Sequence, residues 1–174
     1  HGKSNRNGWY LQQLLKLYAG QFIPGILERY LVIDSDTFFL KPISFIEKNK
    51  CLYNNGIEYH KPYFIHMTKL HPSLNRMITN ISGICHHMIF ETKYIKELFD
   101  MIEKYHNKLF YIVFLENVIH YKGSGASEYE IYFNYMLKYN LSKIKLRKLN
   151  WANVSTLDNI NDYDYVSYHW YRRQ

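Results

Sequence analysis

The stretch Arg29-Tyr30-Leu31-Val32-Ile33-Asp34-Ser35-Asp36-Thr37-Phe38-Phe39-Leu40 decides how the rest of this chain is read. An apolar, β-branched run that stops at two acids predicts a buried strand carrying Asp34 and Asp36 to its carboxyl end, where open α/β sheets place their ligands. In a regular strand, side chains two residues apart share a face. Two carboxylates so placed suit a hard divalent cation, Mg²⁺ or Mn²⁺, better than zinc. An acidic turn at a strand end, with no metal, is the plainer reading of Asp-x-Asp alone.

Upstream, Leu11, Leu14, Leu15 and Tyr18 recur at helical spacing and predict an amphipathic helix ending near Gly20, with Gln12, Gln13 and Lys16 off the apolar stripe. Gln12 and Lys16 are one turn apart, free either to meet a substrate's phosphate or hydroxyls or simply to face solvent. Pro24-Gly25 and Lys41-Pro42 punctuate the two ends of the central strand. A helix feeding a buried strand is an α/β arrangement. Beyond it the pattern loosens, with a turn at Asn54-Asn55-Gly56, a short strand expected at Tyr63 to Met67 and a helical turn near Leu74 to Ile78.

Ile81 to Phe90 reads as a second buried strand in which His86 and His87 point to opposite faces, so that one looks into a cleft while the other packs elsewhere. Gly83 marks either a bulge or the close approach of a ligand or another backbone. A helix capped by Thr92 follows to about Tyr105, and the apolar run Leu109 to His120, with Glu116-Asn117 inside it, favours helix over strand. Ser127-Glu128-Tyr129-Glu130 is a capping box, Ser127 being the N-cap and Glu130 reaching back to it. Glu128 is left without a structural task, in the positive field of a helix start that favours its ionised form.

After Asn140 the chain is expected to return as a strand running through Leu146 to Val154. In Lys143, Lys145 and Arg147 it carries a wet face opposite Ile144 and Leu146. Tyr163 to Tyr171 predicts a last strand in which Ser167, His169 and Tyr171 share a face, with Arg172 and Arg173 beyond. Histidine and arginine there suit a metal-bound diphosphate, or mark an exposed basic terminus.

Composition bounds the classes. With 174 residues, 47% hydrophobic and 18% aromatic, the chain suits one packed domain spanning 1–174 rather than a disordered tail. No run is long enough to cross a bilayer as a helix, and no leader is visible, so a cytoplasmic protein, at most peripheral to a membrane, is expected. The formal charge of +7 is spread along the chain without a nucleic-acid-binding signature, which favours a phosphorylated small substrate over nucleic acid. Cys51 and Cys85 form no Cys-x-x-Cys pair, arguing against a zinc site or a disulfide framework.

Four motifs taken in order, Gly8 to Leu17, Tyr30 to Thr37, His86 to Phe90 and Ala126 to Glu130, resemble a group of GT-A-type glycosyltransferase-like domains of bacteria and large DNA viruses. The resemblance implies a GT-A-like, Rossmann-like mixed sheet flanked by helices. It also implies Mn²⁺ or Mg²⁺ held directly by Asp36, with Asp34 contacting ribose or the metal and His169 as a third ligand. The donor is then a nucleotide-sugar, the acceptor a hydroxyl of a glycan, lipid or protein, and Glu128 the base if the anomeric centre inverts. Gln12, Gln13, Lys16, Ser35, Gly83, His86, His87 and Arg172 are the expected donor- and acceptor-binding residues. GT-A domains usually begin with a βαβ segment that this sequence lacks, which implies a C-terminal portion of a larger domain or a reduced relative. Two rivals remain: a nucleotide- or sugar-binding remnant without turnover, and a haloacid-dehalogenase-like phosphatase. The phosphatase motif wants Thr or Val four residues after its first aspartate, where Phe38 stands here.

Overall fold

A computed structural model describes residues 6–119 and 122–173; the end of the Leu109 to His120 run therefore lies partly outside the described residues. The chain is mixed α/β. Its first helix, α1 (Asn7–Phe22), leads to β1 (Arg29–Ile33) and β2 (Thr37–Phe39), then to β3 (Ile46–Glu47) and β4 (Lys50–Asn54). After α2 (Lys61–Leu70) come β5 (His87–Glu91), α3 (Thr92–His106), α4 (Phe110–Glu116) and α5 (Glu128–Tyr139), and β6 (Ile144–Arg147), β7 (Trp151–Asn153) and β8 (Tyr165–Ser167) close the fold.

The expected single mixed sheet is divided. Among the described residues β1 pairs antiparallel with β5, β2–β8–β7 form a second sheet, and β3–β4–β6 form a third. The stretch expected as one strand, Arg29 to Leu40, breaks at Asp34-Ser35-Asp36. There the Thr37 amide donates to the Asp34 carbonyl at 3.0 Å, closing a β-turn that hands the chain from one sheet to the next. The turn is pinned on both sides: the Asp34 amide donates to the His86 carbonyl at 2.8 Å, and the Tyr168 amide to the Asp36 carbonyl at 2.8 Å.

The core gathers around α5, whose residues Glu128 to Leu137 are all buried. Tyr132 and Phe133 meet Tyr53 from β4, Phe90 meets Tyr132, and Phe99 stacks on Phe110 at 3.9 Å between ring centres. Helix α1 packs through Tyr10, Gln13, Leu14 and Leu17, while Leu11 and Leu15 lie exposed, so its buried stripe is one residue away from the expected one. Two neighbouring stripes were both apolar enough. Polar anchors choose between them: the Tyr10 hydroxyl donates to the Gly123 carbonyl and accepts from the Gly125 amide, and Gln13 Oε1 accepts the Glu128 amide. Nor does Gly20 stop the helix. A Cβ there would meet Thr92 Oγ1 at 2.4 Å, so the glycine admits α3 and β1 rather than ending α1.

Other expectations shift for identifiable reasons. Tyr63 to Met67 is helical, begun by Pro62 in the first turn where its missing N–H costs nothing. Leu74 to Ile78 lies in irregular turns, and Ile81 to His86 is loop rather than strand. The His86 φ of 59° is left-handed and cannot continue a strand backwards. Glu91, not Thr92, holds the N-cap position of α3, without a side-chain bond. Leu146 to Val154 is divided between β6 and β7, and the last strand stops at Ser167, ahead of His169 and a 3-10 turn, Trp170–Arg172. Ser127 does cap α5, its Oγ accepting the Glu130 amide at 3.3 Å. Glu130 does not reach back: its carboxylate takes the Ser82 hydroxyl, the Gly83 amide and the Asn134 side chain instead.

Candidate functional site

Five separated segments converge on the turn between β1 and β2. Asp34 sits at its centre: Oδ1 accepts from Lys16 Nζ at 2.5 Å and from the Tyr129 hydroxyl at 3.0 Å, while Oδ2 lies 3.2 Å from His86 Nδ1. Lys16 reaches across from α1 to a second carboxylate, Glu128 Oε1, at 2.7 Å, and its ammonium lies 4.5 Å from the centre of the Tyr129 ring. Asp36 is held on the other side by His169 Nδ1, 2.7 Å from Oδ2, and the rings of His86 and His169 meet edge to face at 4.9 Å. Trp151 packs against His86, and Tyr171 stacks on His169.

Depth separates the roles. The side chains of Asp34 and Asp36 keep 24% and 23% of their surface, whereas Glu128 keeps 5%, so the aspartates face the mouth and the glutamate the floor. Burial alone would raise the Asp34 carboxyl, but hydrogen bonds and charge from His86 and Lys16 outweigh it and bring it down to about 2. Glu128 behaves oppositely: burial raises it, and Lys16 only partly offsets this, so the helix field expected to keep it low does not prevail. Lys16 is raised, because its two carboxylates outweigh the burial that would lower it.

Several expected residues take other positions. Gln13 is buried, spent on the start of α5. Gln12 and Ser35 are exposed. Gly83 is close-packed on α5, where a Cβ would meet Phe133 Cβ at 2.6 Å, so the close approach is to a helix and not to a ligand. His87 is a core histidine wedged among Phe39, Phe45 and Tyr165, and burial brings it down to about 4. Arg172 is exposed, with a long 3.4 Å contact to the Asn153 carbonyl. Conversely, Tyr129 donates to Asp34, although the capping box gave it no role. Its position directly after Glu128 at a helix start was the available signal.

The donor set admits a metal in one manner only. Among the described residues no three His, Cys, Asp or Glu side chains are grouped to hold an ion. Asp34 is committed on both oxygens, whereas Asp36 Oδ1 has no hydrogen-bond partner among the described residues and stands beside His169. A carboxylate and an imidazole, completed by phosphate oxygens and water, is a coordination that Mg²⁺ and Mn²⁺ adopt without an all-protein cage. Asp36 and His169 fit that requirement.

An open cleft of about 390 Å³ lies alongside, lined by Glu58, Tyr59, His60, Tyr63, Ile84 and Ser124. Tyr63, half-buried there, has its hydroxyl pushed up to about 12 by burial. No helix among the described residues is long and apolar enough to cross a membrane.

Comparison with curated proteins and with solved structures returns no match to either. The sequence profile of a family of unknown function (DUF6492) matches residues 3–171, nearly the whole chain, and the protein belongs to that family.

Proposed function

We propose that this chain is a GT-A-like, metal-dependent glycosyltransferase domain that moves a sugar from a nucleotide-sugar to a hydroxyl acceptor. The observation that carries the reading is the convergence of Asp34, Asp36, His169, Lys16 and Glu128 on one turn at a strand end. Asp36 and His169 would hold Mn²⁺ or Mg²⁺. Such an ion, when bound, neutralises the charge gathering on the departing diphosphate.

The protein's own groups supply the rest. Asp34, charged down to about pH 2, fixes Lys16 over the floor of the site, and His86 fixes Asp34. Glu128 takes the proton of the acceptor hydroxyl as its oxygen bonds to the anomeric carbon and the sugar–phosphate bond breaks, the electron pair leaving on the diphosphate. Its raised affinity for a proton makes it a stronger base than a solvated glutamate. The Lys16–Glu128 ion pair favours one competing reading, a nucleotide-binding remnant in which that carboxylate is permanently neutralised.

Calorimetry with uridine and guanosine diphosphates in Mn²⁺, followed by a nucleotide-sugar hydrolysis and transfer screen, separates the two. Asp36→Ala is expected to abolish metal-dependent nucleotide binding. Glu128→Gln is expected to keep binding and to lower transfer by about a hundredfold. Unchanged nucleotide affinity in Asp36→Ala overturns the reading, and binding without turnover for any donor leaves the remnant.

A further inference from the structure

The cleft beside the carboxylate cluster has a chemistry of its own. Its walls are aromatic and polar at once: Tyr59 is 60% exposed, Tyr63 presents a ring stacked behind on Trp9 at 6.3 Å, and Glu58 adds an exposed carboxylate. His60 bonds the Ser124 carbonyl at 2.7 Å and lies edge-on to Tyr63 at 4.5 Å, which ties the α2 side of the cleft to the loop before α5. Tyr59 is braced from behind, stacked on Phe64 at 5.3 Å with the Arg76 guanidinium 4.9 Å from its ring centre. That guanidinium is itself spent on the Ile81 carbonyl through two N–H groups. These rings are packed against neighbours before any ligand arrives, and a volume of this size is within the range of small-molecule sites.

Two of the walls continue into the cluster. Ile84 is two residues before His86, and Ser124 lies four before Glu128 on the loop that Tyr10 anchors. Charge then selects the ligand. Among the described residues the lining holds one carboxylate, Glu58, and neither lysine nor arginine, so hydroxyl donors find an acceptor there while an anion meets no cation in the wall itself. Flat apolar faces with hydroxyls at the rim are the property of a pyranose ring.

We propose that the cleft bounded by Glu58, Tyr59, Tyr63 and Ser124 binds the acceptor, and that the acceptor is a neutral sugar presented as a glycoside. The assignment rests on the glycosyltransferase reading for the word acceptor, though not for the binding itself. The charge of Glu128 is felt at the Tyr63 hydroxyl on the cleft wall, so a sugar held there is a neighbour of that carboxylate, and the nucleotide is left to Asp36 and His169.

The test is binding of methyl glycosides of glucose, galactose, mannose and N-acetylglucosamine to the whole chain by saturation-transfer NMR and calorimetry, with uridine diphosphate plus Mn²⁺ measured in parallel. At least one glycoside is expected to bind, about tenfold more weakly in Tyr59→Ala and measurably more weakly in the shape-preserving Glu58→Gln, with nucleotide affinity unchanged in both. Because Tyr59 is exposed, a matching thermal melt separates lost binding from lost fold. No glycoside binding, binding that survives both variants, or loss of nucleotide binding in Tyr59→Ala overturns the proposal. Glycoside binding that depends on Tyr59 in a protein that ignores every nucleotide keeps the sugar cleft and removes the transferase reading.

Discussion

His86 holds Asp34 twice: its carbonyl accepts the Asp34 amide at 2.8 Å, and its Nδ1 lies 3.2 Å from Asp34 Oδ2. Both contacts are made from a left-handed backbone at His86, a conformation that costs a non-glycine residue about 1 kcal/mol or more and is retained where surrounding structure fixes it. Because Asp34 is thereby kept at about 2 against an ordinary 3.8, its contribution to stability is present above the ordinary value and disappears as pH falls through about 2.

Removing the ammonium between the two acids is the sharpest structural perturbation. Lys16→Met leaves Asp34 and the buried Glu128 facing each other, with an expected loss of about 3 kcal/mol in urea unfolding at pH 7. Adding Glu128→Gln should restore part of it, giving a coupling energy of about 1 kcal/mol or more. Strict additivity would mean that the pair is not energetically linked.

Ser127→Ala tests how firmly α5 presents Glu128. The variant loses the bond to the Glu130 amide and is expected to cost about 1 kcal/mol, with transfer falling while nucleotide binding persists. A lost binding isotherm at unchanged stability would contradict this division of labour.

Gly83→Ala places a methyl 2.6 Å from Phe133 Cβ. A destabilisation of about 2 kcal/mol is expected by denaturant titration. Phe133→Leu should not rescue it, because the nearest atom is the one both residues share.

Two buried histidines set the acid limb. His66 and His87 are both brought down from 6.5 to about 4, foremost by burial, so each favours the folded chain fully above pH 6.5 and loses that support as pH falls through about 4. The sum is about 3 kcal/mol apiece at most. His87 has no well-formed hydrogen bond on either nitrogen, the Cys85 backbone offering only a partial one. His87→Phe is therefore expected to stabilise by about 1 kcal/mol at pH 7, and by more at pH 4.5, in parallel unfolding curves. His66, whose Nε2 meets the Phe114 carbonyl at 2.8 Å, should not tolerate the same change.

The chemistry of single positions was legible where one local rule governed it. Asp34 and Asp36 at a strand end, Ser127 as a cap and the helix after Thr92 follow from neighbours in the sequence. What depended on distant partners was not. The alternation of β1 and β2 is the same whether they share a sheet or divide between two, and the turn that divides them is pinned by His86 and Tyr168. The α1 stripe was decided by a loop more than a hundred residues away, and the strand expected at Tyr63 to Met67 followed side-chain preference where Pro62 had already marked a helix start. Lys16 was read on one helix face, whereas its role belongs to two carboxylates on other elements.

The spacing of the partners also fixes when this centre can come into being. Asp36 is bonded to a residue 133 positions later, Lys16 to one 112 positions later, and β2 finds its neighbour in β8. A nascent polypeptide still lacking β8 and His169 therefore has an unmatched edge at β2 and an Asp36 without its counterpart. The centre cannot form before His169 has been synthesised, and a chain stopped short of β8 leaves Asp36 without its imidazole and β2 without its partner strand.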